Sequence, residues 1–451
     1  MAVGATRAPS WRMSTQKKNA AAEDAALRSY VRTLSHGRLP GKLAIISVLK
    51  ASTPASAGAV HAHLVKAGLG ADRFVASALI RFYSSAGRLA SARKAFSGVC
   101  EEDVTLHTAM LGALVENGDA VGARVMFDDM LERDVVAWNG MLSGYVHCGL
   151  PEDALELFQE MQVSDSTPNE VTLVSVLSAC SQLACLALGE WVHAYIGRVS
   201  DITVTPILIN SMVNMYAKCG RLDAAFGLFL EQGPRNLESW NTMLSCFATH
   251  GCGTATLSLF SHMIKTAVMP DRISFLAVLM ACAHASMVDH ALRCFDCMQR
   301  VYDFVPLPEH YGCLVDVLSR GGHLQEAHAL IKSMPFEPDG YAWGALLAGC
   351  CHYHNFEIGL EAANCLVELE PWEEGRYIAL LHIYAMSGKR EDFVKLRPEM
   401  VNLSILKLSG SSLIEVDGVV HKFVAGDRSH CQSKDIYMMV EDIGSNLGWN
   451  V

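Results

Sequence analysis

The chain of 451 residues is 51% apolar with a mean hydropathy of +0.22, and its 36 basic against 47 acidic residues leave a formal charge of -11. That balance excludes indiscriminate polyanion binding, so a nucleic-acid ligand would have to be held by specific groups in a local groove. No apolar run approaches the ~18 residues of a membrane span, and fifteen cysteines in a long chain without a secretory signal suggest a reducing compartment rather than a disulfide framework.

The first segment, residues 1–41, carries two signals. Arg7, Arg12, Lys17 and Lys18 precede the first acid, Glu23, which is the composition of an organellar transit peptide. Trp11 and the run Ala25, Ala26, Leu27 and Tyr30, followed by Pro40, also read as a worn copy of a repeat that fills the chain downstream.

That repeat is plainest between Val135 and Asn169, because Trp138, Asn139, Met141, Gly149, Phe158 and Pro168 return 102 residues later as Trp240, Asn241, Met243, Gly251, Phe260 and Pro270. Related phrases subdivide the period into three. Within one repeat, Trp138, Met141, Leu142 and Tyr145 share a helix face. Gly149 can take the left-handed conformation that ends a helix, Pro151 suits the first turn of the next, and Ala154, Leu157, Phe158 and Met161 form a second stripe. Two short helices cannot bury both stripes alone, so neighbouring hairpins must stack. The repeats divide at 42–72, 73–103, 104–134, 135–169, 170–205, 206–236, 237–271, 272–307 and 308–339.

Asn139, Asn210 and Asn241 occupy one place near the start of the first helix in their repeats. An amide there offers a donor and an acceptor to the Watson-Crick edge of an unpaired base. Helix capping explains asparagine at such a place equally well. Cys148, Cys180, Cys219, Cys282, Cys313 and Cys350 fall on helix faces as small core residues. Cys294 and Cys297 form a lone CxxC inside a helix with no second pair at zinc-ligand spacing, so no metal or cofactor is expected.

From residue 340 the register changes. Tyr341 to Cys350 and Tyr377 to Met400 still read as helical hairpins, with Leu346, Leu347, Cys350, Ile378, Leu381, Ile383 and Tyr384 inward. In the last segment, 408–451, two β-prone runs joined by Asp417-Gly418 predict a hairpin. A final helix from about Ser433 places Ile436, Val440, Ile443 and Leu447 on one face.

The alternation of 31-, 35- and 36-residue lengths, with the phrases VLSAC (Val176 to Cys180), NMYAKCGRLDAA (Asn214 to Ala225), SWNTML (Ser239 to Leu244) and EHYGCLVDVLSRGGHLQEA (Glu309 to Ala327), resembles plant pentatricopeptide repeat proteins of the PLS class. A tetratricopeptide-like peptide-binding scaffold would keep a uniform 34-residue period. The resemblance implies an all-α, right-handed superhelical solenoid of helix-turn-helix repeats over 42–339, E-type helical motifs over 340–407, and a truncated E+ extension of β-hairpin and helix over 408–451.

It further implies that one base is read per repeat by the fifth and last residues. The pairs carried over are Ser77 with Asp103, Thr108 with Asp134, Asn139 with Asn169, Asn210 with Asn236, and Asn241 with Asp271. Ser or Thr with Asp is associated with guanine, Asn with Asp with uracil, and Asn with Asn with a pyrimidine. Val174 and Leu276 stand at the fifth position of the 36-residue repeats, where an aliphatic group cannot hydrogen-bond, and Gly312 pairs with Asp339. A zinc deaminase would need a glutamate two residues after a ligating histidine. Phe423 and Gln432 stand there relative to His421 and His430, so the chain is not expected to be an enzyme. The resemblance thus implies a single-stranded RNA-binding site-recognition factor for C-to-U editing in the mitochondrion or, alternatively, the chloroplast. The deaminase would be supplied by a DYW-bearing protein, or through a small editing cofactor, docked on residues 340–451. RNA stabilisation, splicing or processing is the alternative within the same family.

Overall fold

The computed structural model describes residues 54–389 apart from positions 67, 71, 100–102, 165 and 372, then 411–416, 419–424, 428–430 and 432–446, with isolated positions elsewhere. The expected transit peptide and worn repeat, the Asp417-Gly418 turn and Leu447 lie outside the described residues.

Among these residues the chain is a succession of helices in pairs. Pro54–Lys66 (α1) is followed by Arg73–Ser85 (α2) with Leu89–Ser97 (α3), Val104–Glu116 (α4) with Ala120–Asp128 (α5), and Val135–His147 (α6) with Pro151–Val163 (α7). Next come Glu170–Leu183 (α8) with Leu186–Arg198 (α9), Pro206–Lys218 (α10) with Leu222–Glu231 (α11), and Leu237–Thr249 (α12) with Gly253–Lys265 (α13). Arg272–His284 (α14) pairs with Val288–Arg300 (α15), Pro308–Arg320 (α16) with Leu324–Ser333 (α17), and Gly340–His352 (α18) with Phe356–Leu369 (α19), before Glu374–Met386 (α20). Each helix from α6 to α11 begins 102 residues before its counterpart among α12 to α17, so the sequence period is a structural period without slippage. No strand interrupts the described residues between 54 and 389.

The helix ends are dictated locally. After α6, Gly149 takes φ 72°, and Leu150 N donates to Tyr145 O at 2.9 Å, which turns the chain back after one hairpin arm. The same turn recurs with Gly220, Gly251 and Gly322, but in the two 36-residue repeats the left-handed residue is Ala184 (φ 53°) or Ser286 (φ 52°), whose Cβ is strained there. Most of the following first helices are then started by a side chain, an exception being α16, whose N-cap Leu307 offers none. Asp134 accepts from Ala137 N at 2.8 Å, Asn236 from Ser239 N at 2.9 Å, and Asp339 from Ala342 N at 3.0 Å.

Two compact bodies result, one containing residues up to Cys180 with 201–203, the other 181–200 and 204 onward. In the first, α2 packs on α4 and α4 on α6, with α3 and α5 each set between consecutive first helices. In the second, α10, α12, α14, α16 and α18 stack in order, flanked in the same way by α11, α13, α15 and α17. Small residues let the first helices approach closely: a Cβ on Gly144 of α6 would stand 2.5 Å from Cγ2 of Val115 on α4.

The aromatic stripes are core. Trp138 packs edge-on against Phe127 at 4.9 Å, and Trp240 against Phe229 at 5.2 Å in the next period. A guanidinium seals each pair. Arg133 lies 4.8 Å over Phe127 and donates from Nε to its carbonyl at 3.0 Å, and Arg235 lies 4.7 Å over Phe229 and donates at 2.8 Å, so one side chain covers the ring and ends the helix.

The expected inward face of α20 is one residue out of phase. Ile378 is exposed, while Tyr377, Leu380 and Ile383 are buried, because the hairpin presents α20 to α19 through the 377–380–383 row. At the C-terminus, β1 (Ser411–Val416) and β2 (Val419–Val424) pair antiparallel, with Ser411 opposite Val424 and Val416 opposite Val419, the register expected of a two-residue turn. Helix α21 (Ser433–Asn446) follows; Ile436 is half-buried and Val440 exposed, and the side chains of Leu413, Val416, Val420 and Ile443 lie outside the described residues.

Ala184→Gly and Ser286→Gly should each raise unfolding stability by about 0.5–1 kcal/mol, since relief of left-handed strain exceeds the added backbone entropy. Chemical denaturation of each variant checks this; unchanged or lower midpoints would contradict the strain.

Candidate nucleic-acid interface

Each first helix begins with the last residue of the preceding repeat as its N-cap, and one turn further in sits the fifth residue of its own repeat. Asn139, Asn210 and Asn241 are therefore not caps: they lie on the second turn of α6, α10 and α12 and are buried, each under 9% exposed. The capping alternative falls instead on the last residues, Asp103, Asp134, Asn169, Asn236 and Asp271.

Two of the five pairs are joined directly. Asn139 Nδ2 donates to Asn169 Oδ1 at 3.0 Å, and Asn241 Nδ2 to Asp271 Oδ1 at 3.0 Å. In both, the hydroxyl at the third position of the following repeat completes the contact: Thr172 Oγ1 donates to Asn139 Oδ1 at 2.6 Å, and Ser274 Oγ to Asn241 Oδ1 at 2.5 Å. Thr172 and Ser274 were missed in the sequence reading. The signal was there, since Asn169-x-x-Thr172 and Asp271-x-x-Ser274 have capping-box spacing, and Asp271 with Ser274 does form a capping box.

No such bond joins the other three pairs among the described residues. Thr108 turns its hydroxyl back to Val104 O at 2.8 Å, and Ser77 is half-buried on α2. Asp103 caps Thr105 N at 2.7 Å and takes Arg73 Nη1 at 3.1 Å. Burial works to raise the Asp103 carboxyl, but Arg73 and the Thr105 and Leu106 amides outweigh it and hold it below its ordinary value. Asn236 receives Ser239 Oγ at 2.9 Å, and Gln232 Nε2 donates to that hydroxyl at 3.0 Å, leaving Asn210 Nδ2 buried without a partner. Gly312 has no side chain to offer. The ring of Tyr341 occupies the space beside it, 2.7 Å from where a Cβ would stand.

A second feature escaped the sequence reading because apolar residues were assigned to the core. Phe74, Val136, Val171, Ile207, Ile273 and Tyr341, all at the second position of their repeats, are each more than half exposed. Single exposed apolar side chains are ordinary, but here one position recurs, three times in each body. Thr105, Glu238 and Glu309 interrupt it.

Of the cysteines expected in the core, Cys180, Cys282, Cys313 and Cys350 are buried, whereas Cys148 and Cys219 are half-buried and follow the last turns of α6 and α10. Burial pushes Cys282 up to about 11 and Cys350 up to about 12, and raises Cys294 of the CxxC, so these thiols stay protonated at neutral pH. His430 Nε2 and His421 Nδ1 lie 2.9 Å apart beside β2. No cluster of three or more metal-ligating side chains occurs among the described residues.

Comparison with known proteins decides the family. The PPR repeat model matches residues 105–135, 208–231, 238–266, 273–301 and 309–337, the PPR repeat family model 133–182, the E motif 353–415 and the E+ motif 420–444. Pentatricopeptide repeat-containing protein ELI1, chloroplastic, of Arabidopsis thaliana is 39% identical over 427 residues, 94% of this chain and 67% of that protein. The chain belongs to the pentatricopeptide repeat family. Its repeats with E and E+ motifs place it in the PLS subfamily. The Arabidopsis thaliana protein At5g59200, described as putative and chloroplastic, is 38% identical over 93% of this chain and 77% of its own length. At1g08070, chloroplastic, from the same plant is 35% identical over 85% of this chain, which spans only about half of it (48%). Among solved structures, PPR10 in complex with an 18-nt psaJ RNA element superposes with a TM-score of 0.65 at 17% identity, over 85% of this chain and 58% of that one. The fold is that of the pentatricopeptide solenoid.

Asp103→Ala should cost about 1 kcal/mol by uncapping α4, whereas Asp103→Asn, which keeps the accepting oxygen, should cost less. Because the carboxyl is held below its ordinary value, the wild-type advantage over Asp103→Asn is complete above pH of about 5 and fades as pH falls through the lowered value. Thermal unfolding of the three proteins between pH 3 and 7 reads both effects.

Proposed function

We propose that this pentatricopeptide repeat protein binds single-stranded organellar RNA sequence-specifically and marks sites for C-to-U editing, the deaminase being supplied in trans. One observation carries the binding reading. In the repeats at 135 and 237 a fifth-position asparagine is bonded to an exposed or half-exposed last-position group, and in the repeats at 73, 135 and 206 the polar pair is accompanied by an exposed apolar side chain at the second position. Hydrogen-bonding edge and apolar face together suit an unpaired base, which offers an edge to read and a flat face to cover. PPR10, whose fold the chain shares, was solved with an 18-nt RNA, and relatives in Arabidopsis thaliana are named chloroplastic or mitochondrial. The E and E+ motifs support the editing reading, with a DYW-bearing deaminase or a small organellar cofactor as the partner of the C-terminal segment.

From the repeat at 73 onward, the pairs favour G, G, a pyrimidine, any base, a pyrimidine, then U. The acidic net charge supplies little nonspecific attraction, so discrimination rests on these few pairs, each worth ~1–3 kcal/mol. Asn241→Thr places a hydroxyl beside the unchanged Asp271 and should convert the sixth position from U to G. Gel-shift affinities for two RNAs differing only there should reverse their order; identical ranking by wild type and variant would remove the base-reading assignment.

Truncation after Lys407 should leave RNA affinity intact and abolish editing of the bound transcript in the plant. Editing at the wild-type level in the truncated line would instead favour a stabilising or splicing role.

A further inference from the structure

We propose that Thr172 and Ser274, the third residues of the two 36-residue repeats, are positioning residues that fix which edge the preceding repeat shows to its base. The proposal rests on the RNA-reading function above and deepens it. Asp271 N donates to Ser274 Oγ at 3.2 Å, Ser274 Oγ donates to Asn241 Oδ1 at 2.5 Å, Asn241 Nδ2 donates to Asp271 Oδ1 at 3.0 Å, and Ser274 N donates to the same oxygen at 2.9 Å. The circuit begins and ends on backbone N–H groups, which can only donate. Ser274 Oγ also lies 3.0 Å from Asp271 Oδ1, so the accepting carboxylate sets the direction: turned over, the amide of Asn241 would place its own oxygen against Asp271 Oδ1. Asn169 N, Thr172 Oγ1, Asn139 and Thr172 N repeat the arrangement at 3.1, 2.6, 3.0 and 3.1 Å.

What the circuit leaves free differs between the two copies. Asn241 keeps one Nδ2–H, and Asp271 keeps Oδ2, so that repeat shows a donor beside an acceptor. This matches the O4 or O2 and N3–H of uracil. Asn139 keeps one Nδ2–H, but Asn169, its oxygen taken by Thr172 N, turns its own NH2 outward. Two donors side by side match O2 and N3 of cytosine, both acceptors, and oppose the N3–H of uracil. The hydroxyl thus converts a freely rotating amide into one of defined polarity.

The repeat at 206 is the internal contrast. There Ser239 Oγ donates to Asn236 Oδ1 rather than to Asn210, and Gln232 Nε2 occupies its lone pair, so the circuit is open and Asn210 Nδ2 has no partner. The repeats at 73 and 104 are followed by Leu106 and Ala137 at the third position, which cannot close one.

The experiment measures, by gel shift on the full chain, the ratio of affinities for RNAs carrying U or C at the single base assigned to the 237–271 repeat. Ser274→Ala should reduce that ratio about five- to ten-fold, Ser274→Thr should restore it, and Ser239→Ala should leave discrimination at the 206–236 base unchanged. Because Ser274→Ala also weakens a helix cap, thermal unfolding is recorded alongside; a merely structural role would lower affinity for both RNAs equally and leave their ratio alone. That equal loss, or failure of Ser274→Thr to restore the ratio, overturns the proposal. Asn241→Ala separates the two levels. If it abolishes the U-over-C ratio while Ser274→Ala preserves it, only the positioning role fails; if it too preserves the ratio, base reading at this repeat fails with it.

Discussion

Everything in this molecule follows from the inability of one hairpin to bury itself. A pair of 13-residue helices such as α6 and α7 presents two apolar stripes, and only a hairpin on each side can cover them. Close approach of consecutive first helices, made possible by positions such as Gly144, turns a sequence repeat into a stack with a single sense of progression. Trp138 and Trp240 each pack on a preceding phenylalanine that an arginine covers, one such unit in each body.

The stack also explains why the last-position residues proposed to read bases are the ones that cap helices. A helix N-terminus needs an acceptor, and where the last residue of a repeat is Asp or Asn, as at 103, 134, 236 and 271, it supplies one oxygen to the backbone and keeps a second polar atom. Asp103 shows the limit of this economy: its second oxygen is taken by Arg73, so its free valence is shared with a cation. The buried asparagines a turn away gain rigidity from the same caps. Preorganisation of this kind is what the proposed reading asks of a chain of net negative charge, which would have to hold RNA by base edges more than by phosphates.

How much was legible in sequence varies with the range of the interaction. Helix starts, turns and the 102-residue period came through intact because glycine after the first arm and Asp or Asn before the next are local signals. The sequence leaves the fifth-position asparagines open between cap and base reader, since both explanations place an amide near a helix start; the structure removes the cap by one turn of offset, and base reading stays a proposal. Capping-box spacing marks Thr172 and Ser274 as helix-start residues but does not reveal their bonds to Asn139 and Asn241. Their partners lie 33 residues upstream, and no local rule connects a hydroxyl to an amide in the preceding hairpin. The exposed second-position residues such as Phe74 and Tyr341 were hidden by the habit of sending apolar residues inward, and the phase of α20 slipped by one position because Tyr377 and Ile378 are both apolar neighbours.

The shared cap has a consequence for how such chains grow. If the group that faces the ligand is oriented by residues on both sides of a repeat boundary, then the heritable cassette is not the 35-residue repeat but that repeat plus the first three residues of its successor. A crossover at the boundary itself, between Asn169 and Glu170 or Asp271 and Arg272, would transplant a reader while leaving its lock behind. A crossover within the glycine turn, at Gly149 or Gly251, would sever neither cap nor circuit, and duplication joints are therefore tolerated best in the middle of a hairpin.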